Sequence, residues 1–185
     1  LYNIIKGHTD VKYDGLYNVY KTSDAKPDGS VWDMYSNCSF SYSVPSDKCG
    51  NYSKECDCFN REHSFPQSGF NKSSRMVSDA FHIYPTDGKV NGMRSNYPFG
   101  TVTNPTYISG NGSKLGPCSF PGYTGTVFEP LDEYKGDFAR SYFYMATRYE
   151  NLIANWQSNG NANEVLNGTS FPCFDPWVVS LLLSW

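Results

Sequence analysis

The sequence predicts a mixed α+β domain of irregular build, with two short strands and a short helix at its centre, flanking helices, and long loops pinned by disulfides. Three observations lead there. Apolar residues recur at helical spacing at the start of the chain and again over 138–156, while the stretch between is short-run and dense in Gly, Pro, Asn and Ser. Tyr and Phe number 15 and 12 against 18% charged residues, so the expected core is aromatic rather than the Leu-rich seam of a helical bundle. Six cysteines, Cys38, Cys49, Cys56, Cys58, Cys118 and Cys173, are an even number in a loop-rich chain, which favours a disulfide framework and an oxidising compartment. One domain suffices for 185 residues.

In chain order, Leu1, Ile4, Ile5 and His8 share a helical face, as do Tyr13, Leu16, Tyr17 and Tyr20. Two short helices joined at Thr9-Asp10 are expected, with His8 on the apolar face of the first. Lys26-Pro27-Asp28-Gly29 has turn chemistry, Pro fixing one dihedral and Gly supplying the positive one. Residues 36–60 show little periodicity and read as a long loop held by bridges, whose pairing the sequence leaves open. A metal knot of Cys56, Cys58 and His63 competes poorly, because Cys-x-Cys is poor zinc spacing and the chain has no Cys-x-x-Cys.

Next comes CFNREHSFPQSGF, which places Glu62 and His63 on a β-like run, followed by a second run from Asp79 to Tyr84. Pro85-Thr86-Asp87 reads as a turn into a short helix from Gly88, with Thr86 or Asp87 as N-cap and Asn91, Arg94 and Ser95 on one face. Asn96 to Gly125 alternates strand and turn, with Asn111-Gly112 as a hairpin candidate. Its tyrosines either pack in the core or stack bases. Phe138, Tyr142, Met145, Tyr149, Leu152, Ile153 and Trp156 trace an amphipathic helix capped by Asp137, with Arg140 in its first turn. Asp175-Pro176 opens a last, apolar helix over 177–185.

Two strands and a helix that gather a carboxylate, an imidazole and an amide oxygen are equipment for hydrolysis. A phosphodiester is cleaved by activating water, offsetting charge at phosphorus and helping an oxygen leave. An imidazole serves the first need and a hard cation the other two. Glu62 and Asn91 offer so few protein ligands that Mg²⁺ or Mn²⁺ suits them better than Zn²⁺. Neighbours on a flat strand face opposite ways, so the Arg61–Ser64 backbone is expected at a strand start or distorted, with the two side chains approaching from different sides. Arg94 then either holds a phosphate oxygen or braces Glu62. Arg75, in a basic loop, is a candidate phosphate clamp, and His82 a structural or catalytic group beneath the site.

REHSFPQS, DAFHIYPTDGKVNGMRSNYPFG and VFEPLDEYKGDFARSYFYMATRYE resemble the endonuclease I family of secreted nucleases, in a Bacteroidetes-like form. The resemblance spans nearly the whole chain. It implies a ββα-metal (His-Me finger) motif at about 60–97, metal ligands at Glu62 and Asn91, a general base at His63, and a 5′-phosphate product. Mg²⁺ is the implied cofactor, with Mn²⁺ or Ca²⁺ as substitutes. Arg140 falls in the GDFAR motif, holding phosphate or bracing the metal-site loop. Phe81 stands where similar sequences carry a His, and Gln67-Ser68-Gly69-Phe70 lacks their Trp. Similar sequences begin earlier and continue into a basic tail, so residues 1–185 are expected to be one endonuclease I-like domain clipped at both ends.

Net charge is −3, which counts against a simple nucleic-acid binder, but a nuclease recruiting phosphate through a metal and a few local cations escapes that objection. No apolar run reaches membrane-spanning length. A chain starting at Leu1 is expected where an export signal has been removed. The expectation is therefore a secreted or periplasmic, monomeric, metal-dependent endonuclease acting on DNA, RNA or both with little sequence preference. The competing reading is a disulfide-rich extracellular binding module, for instance for polysaccharide. A catalytically degenerate nuclease homologue lies between.

Overall fold

A computed structural model describes residues 1–168 and 173–185. The two expected N-terminal helices form, α1 over Tyr2–Ile5 and α2 over Lys12–Ser23. His8 falls in the link between them rather than on a helical face, because α1 ends after one turn. The Lys26–Gly29 turn closes as expected, with Gly29 at φ +83° donating to the Lys26 carbonyl.

The centre is an antiparallel pair, β1 Phe59–His63 and β2 Ile83–Asp87, running straight into α3 Gly88–Arg94. The second strand lies later than the sequence suggests: Asp79–His82 are turn, and Pro85-Thr86-Asp87 are strand rather than turn. The phase of the ladder explains why a proline is tolerated. Gly88 N–H bonds to Cys58 O and Ser64 N–H to His82 O, so Pro85 opposite Arg61 sits at a non-hydrogen-bonded pair and loses no ladder donor. Asp87 is the N-cap of α3, its side chain accepting from Val90 N–H at 3.0 Å. Gly88 must be glycine, since a Cβ there would lie 2.4 Å from Cys49 Sγ.

The loop before β1 is pinned by Cys38–Cys56 and Cys49–Cys58, which also removes the alternative of a cysteine metal knot. The framework is smaller than the cysteine count suggests, because Cys118 and Cys173 are free. Farther on, β3 Tyr107–Ile108, β4 Lys114–Pro117 and β5 Thr126–Glu129 form an antiparallel sheet in the order β3-β4-β5, with Asn111-Gly112 in the first hairpin as expected.

The helix α4 spans Asp132–Arg148, starting a turn and a half before the expected cap. Asp137 is therefore interior, pairing with Arg140 one turn on. Of the expected stripe, Phe138, Tyr142, Met145, Tyr149, Ile153 and Trp156 are buried while Leu152 is exposed, because the helix stops at Arg148 and Ile153–Trp156 continues it as 3₁₀ turn. The last helix, α5 Pro176–Ser184, buries Trp177, Val178, Leu181 and Leu182.

Two apolar cores result. The larger packs α4 and α5 against Phe65, Val90, Phe99 and Phe128; the smaller packs α2 against Val31, Phe40, Phe59 and Ile83. The β1–β2 pair lies between them. Strand alternation sends Phe59 and Ile83 to the smaller core and Tyr84 toward the larger.

Candidate active site

A cleft of about 360 Å³ runs along β1, lined by Asn60, Arg61, Glu62 and His63 from the strand, Asn91 and Arg94 from α3, and Tyr13 from α2. Four consecutive strand residues reach one cleft because β1 belongs to a two-stranded sheet. Beyond Phe59, whose carbonyl accepts from Cys49 N–H, its second edge carries no strand among the described residues. The expected distortion does not occur, since the register is unbroken through His63 opposite Ile83. The open edge does the same work: Glu62 and His63 enter from opposite faces, as expected, and both line the cleft.

Glu62 is 2% exposed and fixed on one oxygen. Its Oε1 accepts from the Tyr35 hydroxyl at 2.8 Å and from Arg94 Nη1 at 2.6 Å. Its Oε2 has no hydrogen-bond partner among the described residues. Burial pushes this carboxyl up, while Arg94 and Tyr35 pull it back toward the ionised form. Burial likewise opposes the Arg94 charge, and Glu62 more than restores it. Arg94 is itself buried. Its other bonds go to the His63 and Ser64 carbonyls at 2.8 and 2.6 Å, so of its two expected roles the geometry has the bracing one. One guanidinium thus locks the end of β1 and orients Glu62 at the same time.

Asn91 projects from the second turn of α3, and its Nδ2 donates to Asn60 Oδ1 at 2.7 Å. That bond leaves Asn91 Oδ1 for the cleft. On the other face of β1, His63 Nε2 is 3.3 Å from the Val77 carbonyl, which assigns the proton to Nε2 and leaves Nδ1 with its lone pair. Burial, then His82 and two arginines, push the His63 imidazole down to about 3, so it is neutral at physiological pH. Tyr13 stacks on its ring at 6.0 Å, and Arg61 lies 3.5 Å over the Tyr13 ring.

His82 is fully buried beneath His63 with ring centroids 5.7 Å apart, its Nε2 against the Met76 carbonyl at 2.8 Å. Two expected residues lie elsewhere. Arg140 projects from α4 into solvent, paired with Asp137 at 2.5 Å, and does not line the cleft. Arg75 is exposed on the segment before Met76 and lines neighbouring hollows instead. Asn60, Tyr13 and Tyr35 are members of the site that sequence reasoning missed. Asn60 had a signal, being two residues before Glu62 and so on the same strand face. Tyr35 had none.

The donor chemistry fits a hard cation. One carboxylate oxygen and one amide oxygen have no partner among the described residues while their companion atoms are tied to protein partners, and the His63 imidazole lines the same cleft. A strand–strand–helix unit carrying such a set can hydrolyse a phosphate ester. The chain belongs to the endonuclease I family, whose sequence pattern matches residues 1–185. It is 33% identical over 154 residues to an extracellular ribonuclease of Bacillus subtilis (strain 168), a match covering 81% of this chain and 48% of that protein. It is 31% identical over 191 residues to an extracellular ribonuclease of Bacillus amyloliquefaciens, covering 100% of this chain and 58% of that protein. An endonuclease-1 of Buchnera aphidicola is 29% identical over 84 residues, 45% of this chain and 31% of that protein. The chain thus spans about half the length of the two ribonucleases.

Proposed function

We propose that this chain is a secreted, divalent-cation-dependent endonuclease that hydrolyses phosphodiesters of RNA, DNA or both with little sequence preference. The observation that carries the reading is that Glu62, Asn91 and His63 line one cleft, with Glu62 Oε2 and Asn91 Oδ1 without hydrogen-bond partners among the described residues and the His63 ring held through Nε2. Family membership and the extracellular ribonucleases support the substrate class and, with the two disulfides, the secreted location.

Glu62 and Asn91 hold the cation, Mg²⁺ being the expected one. When bound it supplies positive charge to the phosphate and to the departing oxygen. His63 takes a proton from the attacking water at Nδ1, with its ring oriented by the Val77 carbonyl through Nε2. The new oxygen–phosphorus bond forms as the bond to the 3′ oxygen breaks, leaving a 5′-phosphate and a 3′-hydroxyl. Arg94 positions rather than reacts: it holds Glu62 through Oε1 and pulls a carboxyl that burial raises back toward its ionised form.

The test is incubation of plasmid DNA and total RNA with the purified chain in Mg²⁺ and in excess chelator. Cleavage is expected with Mg²⁺ and its loss with chelator. Cleavage indifferent to chelator removes the cation from the account, and the absence of cleavage in both, with retained binding to polysaccharide, favours the binding-module reading.

A further inference from the structure

Two adjoining hollows of about 480 and 540 Å³ lie on the other side of the 74–77 segment from the candidate active site, sharing Lys6, Ser74, Arg75 and Arg148. The chain as a whole carries net charge −3, so a gathering of cations in one concavity runs against its average. Lys12 also lines this region, but Asp10 neutralises it at 2.8 Å. Lys6 bonds only to Asn3 Oδ1, at 3.0 Å, and Arg75 has no ion-pair partner among the described residues.

Arg148 is the anomaly. It sits at the last turn of α4, 5% exposed, and no carboxylate lies within ion-pair distance of it among the described residues. Buried guanidinium groups are ordinarily paired, because burial of a lone charge is costly. Arg148 instead donates to a neutral acceptor, His8 Nδ1, from Nη2 at 3.1 Å and Nε at 3.3 Å. Since His8 Nδ1 accepts, its proton is on Nε2, which is buried and has no partner among the described residues. The neighbouring carboxylate, Asp79, is 3.8 Å from His8 but is occupied by the Tyr144 and Tyr149 hydroxyls. The hollow thus presents a buried Arg without a carboxylate partner among the described residues, its guanidinium 4.7 Å over the Tyr149 ring, together with two exposed cations, facing one carboxylate, Asp10, already taken by Lys12 and Ser78.

We propose that the Lys6–Arg75–Arg148 hollow is a second phosphate subsite, holding a phosphodiester of the strand whose neighbouring linkage lies in the Glu62–His63 cleft. This rests on the nuclease reading. Continuity supports a strand over a free anion. Lys12 lines the hollow and Tyr13 the cleft, while Ser74 and Arg75 line the hollow and the Val77 carbonyl bonds to His63. The 12–13 segment thus lines both places and the 74–77 segment lines the hollow and holds His63 of the cleft, and a positively charged groove that tracks the backbone is how single strands are held without reading sequence. Nε and Nη2 of Arg148 are turned to His8, which leaves Nη1, without a partner among the described residues, as the donor for a phosphate oxygen.

The test uses the full chain in excess chelator, so binding is read without turnover, with a fluorescein-labelled single-stranded oligonucleotide of about 12 nucleotides followed by anisotropy. Affinity is measured from about 50 to about 200 mM salt for the wild type and for the double variant Lys6→Ala, Arg75→Ala, both on exposed positions. The variant is expected to bind about tenfold more weakly, with a slope of log affinity against log salt shallower by about 1.4, two contacts at about 0.7 each. Arg148→Met, if its thermal unfolding remains cooperative, is expected to lose affinity likewise. Unchanged affinity and slope in the double variant overturn the subsite, as does a wild type that binds no oligonucleotide. Inorganic phosphate raising the unfolding temperature through Lys6 and Arg75, with oligonucleotide affinity indifferent to both, would make the hollow a free-anion site and also overturn it. A true nuclease lacking the subsite cleaves in Mg²⁺ yet shows the unaltered slope, so the two failures are distinguishable.

Discussion

The two concavities flanking the 74–77 segment are built on opposite electrostatic plans. In the Glu62–His63 cleft every buried charge is answered: Arg94 is spent on Glu62 and two carbonyls, and Glu62 Oε1 on Arg94 and Tyr35. In the Lys6–Arg75–Arg148 hollow these three cations meet no carboxylate among the described residues, and Arg148 is buried against the His8 imidazole and the Tyr149 ring. The first plan fixes geometry at the cost of desolvation. The second keeps positive potential available to a ligand. A wall of closed pairs suits chemistry that demands exact placement, and a hollow of open cations suits a phosphate that need only be held.

The largest difference between them should appear in stability. Arg94→Met leaves Glu62 buried without its cation and should cost about 3–5 kcal/mol. Arg75→Met, on the exposed side, should stay within about 0.5 kcal/mol. Urea unfolding of both variants checks the contrast, and comparable losses in the two would erase it.

A smaller effect reports on the wall behind the cleft. Asp33 accepts from the backbone N–H of Tyr35, the residue that bonds Glu62, and burial raises its carboxyl from 3.8 to about 6. A group whose folded value is raised stabilises the fold below its unfolded value and loses that contribution as pH rises through the folded value. Relative to Asp33→Asn, the wild type should therefore lose about 2–3 kcal/mol between about pH 4 and about pH 7. Unfolding free energies of the two proteins across that range give the answer, and parallel curves would show that Asp33 does not titrate with folding.

How much of this was readable in the sequence differs between the two regions for a physical reason. Glu62, His63 and Asn91 sit on adjoining elements of one local unit, so their types and spacing announce them. Even there, Pro85 misplaced β2, because a proline signals a turn unless the ladder phase is known. Tyr35 reaches Glu62 from 27 residues away in a segment without periodicity, and no local pattern encodes such a contact. The hollow was harder still. Lys6, His8, Arg75 and Arg148 come from three distant segments, and only folding reveals that Arg148 ends a helix without a carboxylate to meet it. Cysteine number failed for a related reason: Cys38, Cys49, Cys56 and Cys58 pair within one loop, while Cys118 and Cys173 remain free.

His63 Nδ1 is the proposed base of a cation-dependent cleavage. That role is tested most directly by single-turnover cleavage of a labelled RNA strand in Mg²⁺ by the wild type and by His63→Ala, with oligonucleotide affinity measured alongside in chelator. The account predicts a rate lower by about 10²-fold or more in the variant at essentially unchanged affinity. A folded His63→Ala protein that cleaves within about threefold of the wild type, well inside the range general-base removal should exceed, would contradict it.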